Sequence, residues 1–225
     1  SGSGFDPSGG TVFFNGGTQA ISTHASNYFH DLTIGGTTNT KTAGSDLVIK
    51  GNLLISSGTL DMAADANTLD IDGNFTLSGV SFIPYGGTHD IAGNWDDANG
   101  TFQATEGTVT LSGGNSDITT GGSNYFFNLE INSTGTKTAT SNLDINGVFT
   151  LTAGIFDAGS TSIDIVGNWD DSGNNGGFTP TAGTVTLSGA GSNITTGSNN
   201  NFFNLVINSS GTKSALSELD INGDL

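Results

Sequence analysis

Five aspartates share one offset in a recurring x-Asp-Ile-x-Gly pattern: Asp70, Asp90, Asp144, Asp164 and Asp220. If the strands that carry them stack, Asp70 lies beside Asp90 and Asp144 beside Asp164, about 4.8 Å apart. Two carboxylates at that distance repel by roughly 1 kcal/mol in water, and more at reduced dielectric. A bridging Ca²⁺ would relieve the repulsion, because hard cations take carboxylate and carbonyl oxygens. Asp70, Asp90, Asp144 and Asp164 are therefore the candidate Ca²⁺ ligands, weighed against a plain solvated acidic stripe. No Gly-Gly-x-Gly-x-Asp loop accompanies them.

The segment Gly-Asn-Trp-Asp-Asp occurs twice, at 93–97 and 167–171, and carries Trp95 and Trp169. An exposed pair of indoles would stack on sugar rings. A buried pair would be corner or core aromatics with the following Asp capping a turn, and this second reading is the expected one. Polysaccharide-cleaving enzymes built on stacked coils need acids or bases clustered in a groove. Here the acids recur along the whole chain, and there is no Arg to bind an acidic sugar. His24, His30 and His89 have no short metal-ligand spacing, and there is no Cys, no Gly-x-Ser-x-Gly and no P-loop. The expectation is a protein without catalytic residues and without a required cofactor. Five Asn-x-Ser/Thr sequons, at Asn74, Asn99, Asn132, Asn193 and Asn208, are glycosylation candidates.

What positions these residues is an internal repeat. Gly-Thr-Val-Thr-Leu-Ser-Gly at 107–113 recurs at 183–189, and 10–16 is the same element, so long repeats begin near 10, 107 and 183. The spacings are 97 and 76 residues, and the difference of 21 marks one extra unit, visible as the step from 69–74 to 89–94. Division by five and by four gives a period of about 19 residues. Each unit holds short runs alternating apolar and polar residues, such as Val109/Leu111 and Leu143/Ile145. Gly and Asn follow nearly every run as turn residues. The pattern predicts an all-β fold, a β-solenoid (parallel β-helix) with coils of about 19 residues, right-handed by the general rule for parallel crossovers. Residues 1–225 form one domain of eleven coils and a part, a rod about 50 Å long. A pair of immunoglobulin-like domains is the alternative, but it does not explain a clean one-unit insertion.

Asn52, Asn74, Asn94 and Asn168 follow turn glycines and are expected to form a side-chain ladder along a corner. The strand phase set by Leu129 and Ile131 puts Phe127, and likewise Phe203 in the second copy, in the core with Trp95 and Trp169. Residues 4–12 align with 177–185, Phe5 with Phe178 and Pro7 with Pro180, and 219–225 aligns with 143–149. Both termini therefore fall in mid-coil, leaving uncapped sheet edges that pair with further copies or further repeats.

Composition limits the partners. A formal charge of −17 on 225 residues repels nucleic acid and anionic membrane surfaces. No apolar run is long enough for a spanning helix. The expected partner is the protein itself, head to tail or as neighbouring repeats of one chain. The combination Gly-Thr-Val-Thr-Leu-Ser-Gly, Phe-Phe-Asn-Leu-x-Ile-Asn-Ser-x-Gly-Thr-Lys, Leu-Asp-Ile-Asn-Gly and Ile-Asp-Ile-Val-Gly-Asn-Trp-Asp-Asp resembles the repeat regions of large secreted prokaryotic surface proteins, of the adhesin and extracellular-filament kind. That resemblance covers essentially the whole chain. It implies an extracellular or cell-surface location and a scaffold, stalk or fibre role. The alternative is a glycan- or host-binding adhesin domain, for which the extra coil at 69–88, with Phe82, Pro84 and Tyr85, is the candidate cleft.

Overall fold

The computed structural model describes residues 7–36, 38–63, 67–174 and 177–225; Phe5 lies outside them. Among the described residues there are short strands and turns and no helix. The chain makes about ten turns of a parallel β-solenoid, with coils about 20 residues apart. Strands of three or four residues with alternating burial, such as Leu47–Ile49 and Ile163–Ile165, show why the turns are so frequent. Each run has only enough apolar residues for one side of a narrow core, and Gly-Asn then turns the chain to the next side.

The pairings define three stacks. One runs Val12–Leu32–Leu53–Phe75–Trp95–Ile118–Ala139. A second runs Lys41–Leu60–Phe82–Phe102 and, past bridges at Gln103–Tyr125 and Phe126–Ile145, continues Ile145–Ile165–Leu187–Ile207. The third includes Val109–Leu129–Phe149–Trp169–Ile194–Ala215. In the first stack the steps are 20 to 23 residues.

These registers refine the period of about 19 residues to about 20 and reduce the count of eleven coils and a part to about ten. The recurrent Gly-Thr-Val element does not return to one face. Val12 lies in the first stack, Val109 in the third and Val185 in the second. The 76-residue repeat therefore spans three and two-thirds coils, and the 97-residue repeat four and two-thirds. Dividing by whole numbers made the coil too short, whereas the 21-residue insertion was itself one coil. Each long repeat thus begins one face away from the last. The rod presents the same elements on all three faces in turn.

The core is continuous along the axis and gains two aromatic clusters. Trp95 packs against Phe75, Phe102 and Phe126 at centroid distances of 4.4, 4.8 and 5.1 Å. Trp169 repeats this with Phe149, Phe178 and Phe202 at 4.5, 4.7 and 5.0 Å, one face on. The core members are thus Phe126 and Phe202, which are buried, while Phe127 and Phe203 are only partly covered. This reverses the expected phase. Phe126 bridges Ile145, its N–H donating to Asp144 O, so it ends one face. Phe127 sits in the bend before the strand Asn128–Ala139. Alternation counted back from Leu129 fails because a corner intervenes.

Corners leave backbone N–H groups outside the strand ladders, and at these exposed bends side-chain oxygens pair them. Asparagine does this. Asn52 Oδ1 accepts from Asn74 N–H at 2.9 Å, Asn74 Oδ1 from Asn94 N–H at 2.8 Å and Asn94 Oδ1 from Asp117 N–H at 2.9 Å. Asn128, Asn142 and Asn168 serve other corners in the same way. The asparagine ladder joins side chain to backbone rather than amide to amide.

Candidate functional site

The strands place the recurrent aspartates side by side. Asp70 pairs with Asp90 in one ladder, and Asp144 with Asp164 in another. The ladders occupy different faces, the third and second stacks, because a long repeat separates them. Outward neighbours in the first ladder continue as Thr110 and Glu130, and Glu130 accepts from Thr110 Oγ1 at 3.1 Å and from Thr152 Oγ1 at 2.7 Å. Burial raises Asp70, with Lys50 opposing and Asp72 and Asp90 adding to the rise. Burial also raises Asp144, and the facing Asp164 raises it further. Among the described residues no group of three or more His, Asp or Glu is close enough to hold a metal ion. The aspartates meet in pairs, and two carboxylates fall short of the six to eight oxygens that Ca²⁺ takes.

Beside the second pair is a groove of about 150 Å³, lined by Tyr125, Asp144, Asn146, Asp164, Val166 and Ser188. Ser188 Oγ donates to Asp164 Oδ1. Its chemistry is a phenol, an amide and two carboxylates around a short apolar wall.

Trp95 and Trp169 are buried, as are the aspartates two residues on. Asp97 is the hub of a corner. It accepts from Trp95 Nε1 at 3.0 Å, from Gly121 N–H at 2.9 Å and from Asn124 Nδ2 at 2.9 Å. Asn124 in turn accepts from Phe102 N–H at 3.1 Å, tying the loop before Tyr125 to the coil beneath. In the next repeat Asp171 accepts from Gly197 N–H at 2.8 Å, and Asn200 accepts from Phe178 N–H at 3.2 Å. Burial raises both Asp97 and Asp171, and the donated hydrogen bonds counter it. This cluster is structural: a charge is taken into the core only because several donors meet it.

Two further groups were not singled out from the sequence. Lys41 and Lys137 are fully buried. Lys41 Nζ donates to Gly16 O at 3.0 Å, and Lys137 Nζ to Ala92 O at 2.9 Å and to Ser116 Oγ at 2.7 Å. Burial lowers Lys137 to about 8, opposed by Asp90. The signal was present in Thr-Lys-Thr-Ala, where Lys alternates with outward Thr and shares a face with inward Ala. His89 is the other. It is buried just after the extra coil, with Nε2 2.9 Å from Pro84 O and its ring 5.6 Å from Phe82, and burial lowers it to about 4. It fills the site that Leu69 and Val109 fill in the coils on either side.

The extra coil does not form an aromatic cleft. Phe82 and Pro84 are buried and Tyr85 packs against the core. The sequon residues Asn74, Asn99, Asn132, Asn193 and Asn208 are all exposed. Asn74 Oδ1 is engaged by Asn94 N–H. No helix among the described residues is long and apolar enough to cross a membrane. No protein-family model, no curated protein and no solved structure matches this chain.

Proposed function

We propose that this chain is a structural segment of an extracellular fibre, filament or cell-surface stalk, in which stacked coils supply length and stiffness. The observation that supports this best is the continuous parallel stacking of the coils, which persists across local register shifts such as that between Asn132 and Thr136. Three parallel stacks run along the rod with one shared apolar core, and long repeats enter it at successive faces. Such an arrangement extends by adding coils, as quasi-one-dimensional repeat proteins do. The buried aspartates, lysines and histidine serve corners and core. The acidic surface suits a solvated rod rather than a nucleic-acid or anionic-membrane partner.

The test is immunogold electron microscopy of the source cells with antibody raised against the chain. Label along filaments or stalks outside the cell is expected. Label confined to the cell interior, or to compact particles, would overturn the proposal.

A further inference from the structure

Five Asn-Gly steps occur in the sequence, at 15–16, 99–100, 146–147, 175–176 and 222–223, and the fourth lies outside the described residues. An asparagine followed by glycine can close a five-membered ring on its own backbone, because glycine has no Cβ to hinder the approach. Whether it does so depends on how firmly the fold holds the glycine nitrogen. At two sites that nitrogen is clamped. Gly147 N–H donates to Phe127 O at 2.6 Å, between Asn146 N–H on Phe126 O and Val148 N–H on Asn128 Oδ1. Gly223 N–H donates to Phe203 O at 2.6 Å, between Asn222 N–H on Phe202 O and Asp224 N–H on Asn204 Oδ1. Successive bonded donors stop either peptide from turning toward the side chain.

Asn99–Gly100 is held differently. It lies in the strand Trp95–Phe102, but the ladder shifts register on both sides of Asn99. Asn124 Nδ2 donates to Asp97 O at 2.9 Å and to Gly100 O at 3.1 Å, so one amide pins both ends of a short arch. Ala98 and Asn99 stand exposed on that arch. The Asn99 side chain makes no hydrogen bond among the described residues, so no contact in the fold calls for an asparagine there. Gly100 is obligatory, since a Cβ would lie 2.3 Å from Leu77 Cγ. The segment after Asp171, the counterpart of Asp97, again carries an Asn-Gly step, Asn175–Gly176.

We propose that Asn99–Gly100 is a self-modifying site, at which the folded chain converts Asn99 to aspartate or isoaspartate through a succinimide ring. The Gly100 nitrogen gives its proton to solvent base and attacks Asn99 Cγ. The new C–N bond forms, the Cγ–Nδ2 bond breaks, and Nδ2 takes up a proton and leaves as ammonia. Water then opens the ring. Addition at Cγ restores an ordinary backbone. Addition at the backbone carbonyl gives isoaspartate, which puts one extra methylene into the main chain. That methylene lengthens the arch that Asn124 spans, and the new carboxylate joins Asp96 and Asp97. The change is irreversible and accumulates with the age of the protein. A glycan on Asn99 Nδ2 competes with it.

The test is peptide mapping by mass spectrometry of the unglycosylated chain held at mildly alkaline pH, folded and in urea. In the folded chain the Asn99 peptide is expected to show the amide-to-acid mass gain at least about tenfold sooner than the Asn146 peptide, which must wait for local opening. In urea the two should convert alike. Asn99→Gln should abolish the gain at its own peptide and leave the Asn146 peptide as before. Asn146 converting as fast as Asn99 in the folded chain, or Asn99 staying an amide there while it converts in urea, would overturn the proposal.

Discussion

Segments 126–147 and 202–223 have almost the same sequence but differ in what covers them. Ile131 is fully buried beneath Leu151, whereas Ile207, its counterpart, is 44% exposed. Ala139 is buried and Ala215 is exposed; Lys137 is fully buried and Lys213 only partly so. Phe126 and Phe202, by contrast, are equally buried, because each is packed by the tryptophan cluster of the preceding repeat. A coil therefore does not own its core. The coil below supplies half and the coil above the other half, so the environment of a repeated residue depends on which coils flank it.

The largest expected effect breaks the part that both segments share. Phe126→Ala and Phe202→Ala each remove a buried aromatic and should cost about 3–5 kcal/mol. Phe127→Ala, at the bend, should cost about 1 kcal/mol. Urea midpoints at unchanged slope measure all three. Equal losses at Phe126 and Phe127 would return the phase to the one expected from simple alternation.

Next is the corner. Asp97→Ala leaves Trp95 Nε1, Gly121 N–H and Asn124 Nδ2 without their shared acceptor and should cost about 1–3 kcal/mol. Asp97→Asn should cost less and should also change the pH response. Burial raises the folded Asp97 above 3.8, so its contribution is fully present below 3.8 and is lost as pH rises through the folded value. The wild type should gain stability on mild acidification, and Asp97→Asn should gain less. Chemical denaturation across the acid range measures the difference.

The two lysines sharpen the comparison at alkaline pH. The folded value of Lys137, about 8, lies below 10.5. Its contribution is therefore present above 10.5 and lost as pH falls through about 8. Stability should rise between these limits. Lys137→Met should flatten the rise, while Lys213→Met, at the less covered counterpart, should change it less. Parallel urea titrations at several pH values test this, and equal slopes for the two variants would contradict the difference in cover. The smallest effect is expected at the surface. Asp72→Asn breaks the 3.1 Å pair with Lys50, both about half exposed, and should change stability by less than about 0.5 kcal/mol.

The fold was legible because its determinants are local and repeated. Alternation at Leu143/Ile145, Gly-Asn after each strand and the insertion at 69–88 suffice for stacked parallel coils. The coil length read slightly short because a repeat was taken to contain whole coils, and nothing in a linear pattern marks a start on a new face. Phe127 was misplaced because alternation says nothing across a corner. Lys41 and Lys137 were passed over because a charge suggests solvent, although their alternation with Thr and their pairing with inward Ala placed them inside. The aspartate ladders were foreseen in register. Their surroundings, such as Ser188 on Asp164, come from coils more than twenty residues away and could not be.

The central claim is that a 76-residue repeat spans three and two-thirds coils, so that equivalent strands occupy different faces. Four whole coils would place Thr186 on the stack of Thr110 and close to Asp170; the structure places Thr195 beside Asp170 instead. The deciding measurement is disulfide closure in two double variants of this cysteine-free chain. Asp170→Cys with Thr195→Cys is predicted to close within one molecule on mild oxidation, and Asp170→Cys with Thr186→Cys to remain open. The reverse result would contradict the face-by-face progression and restore a coil of about 19 residues.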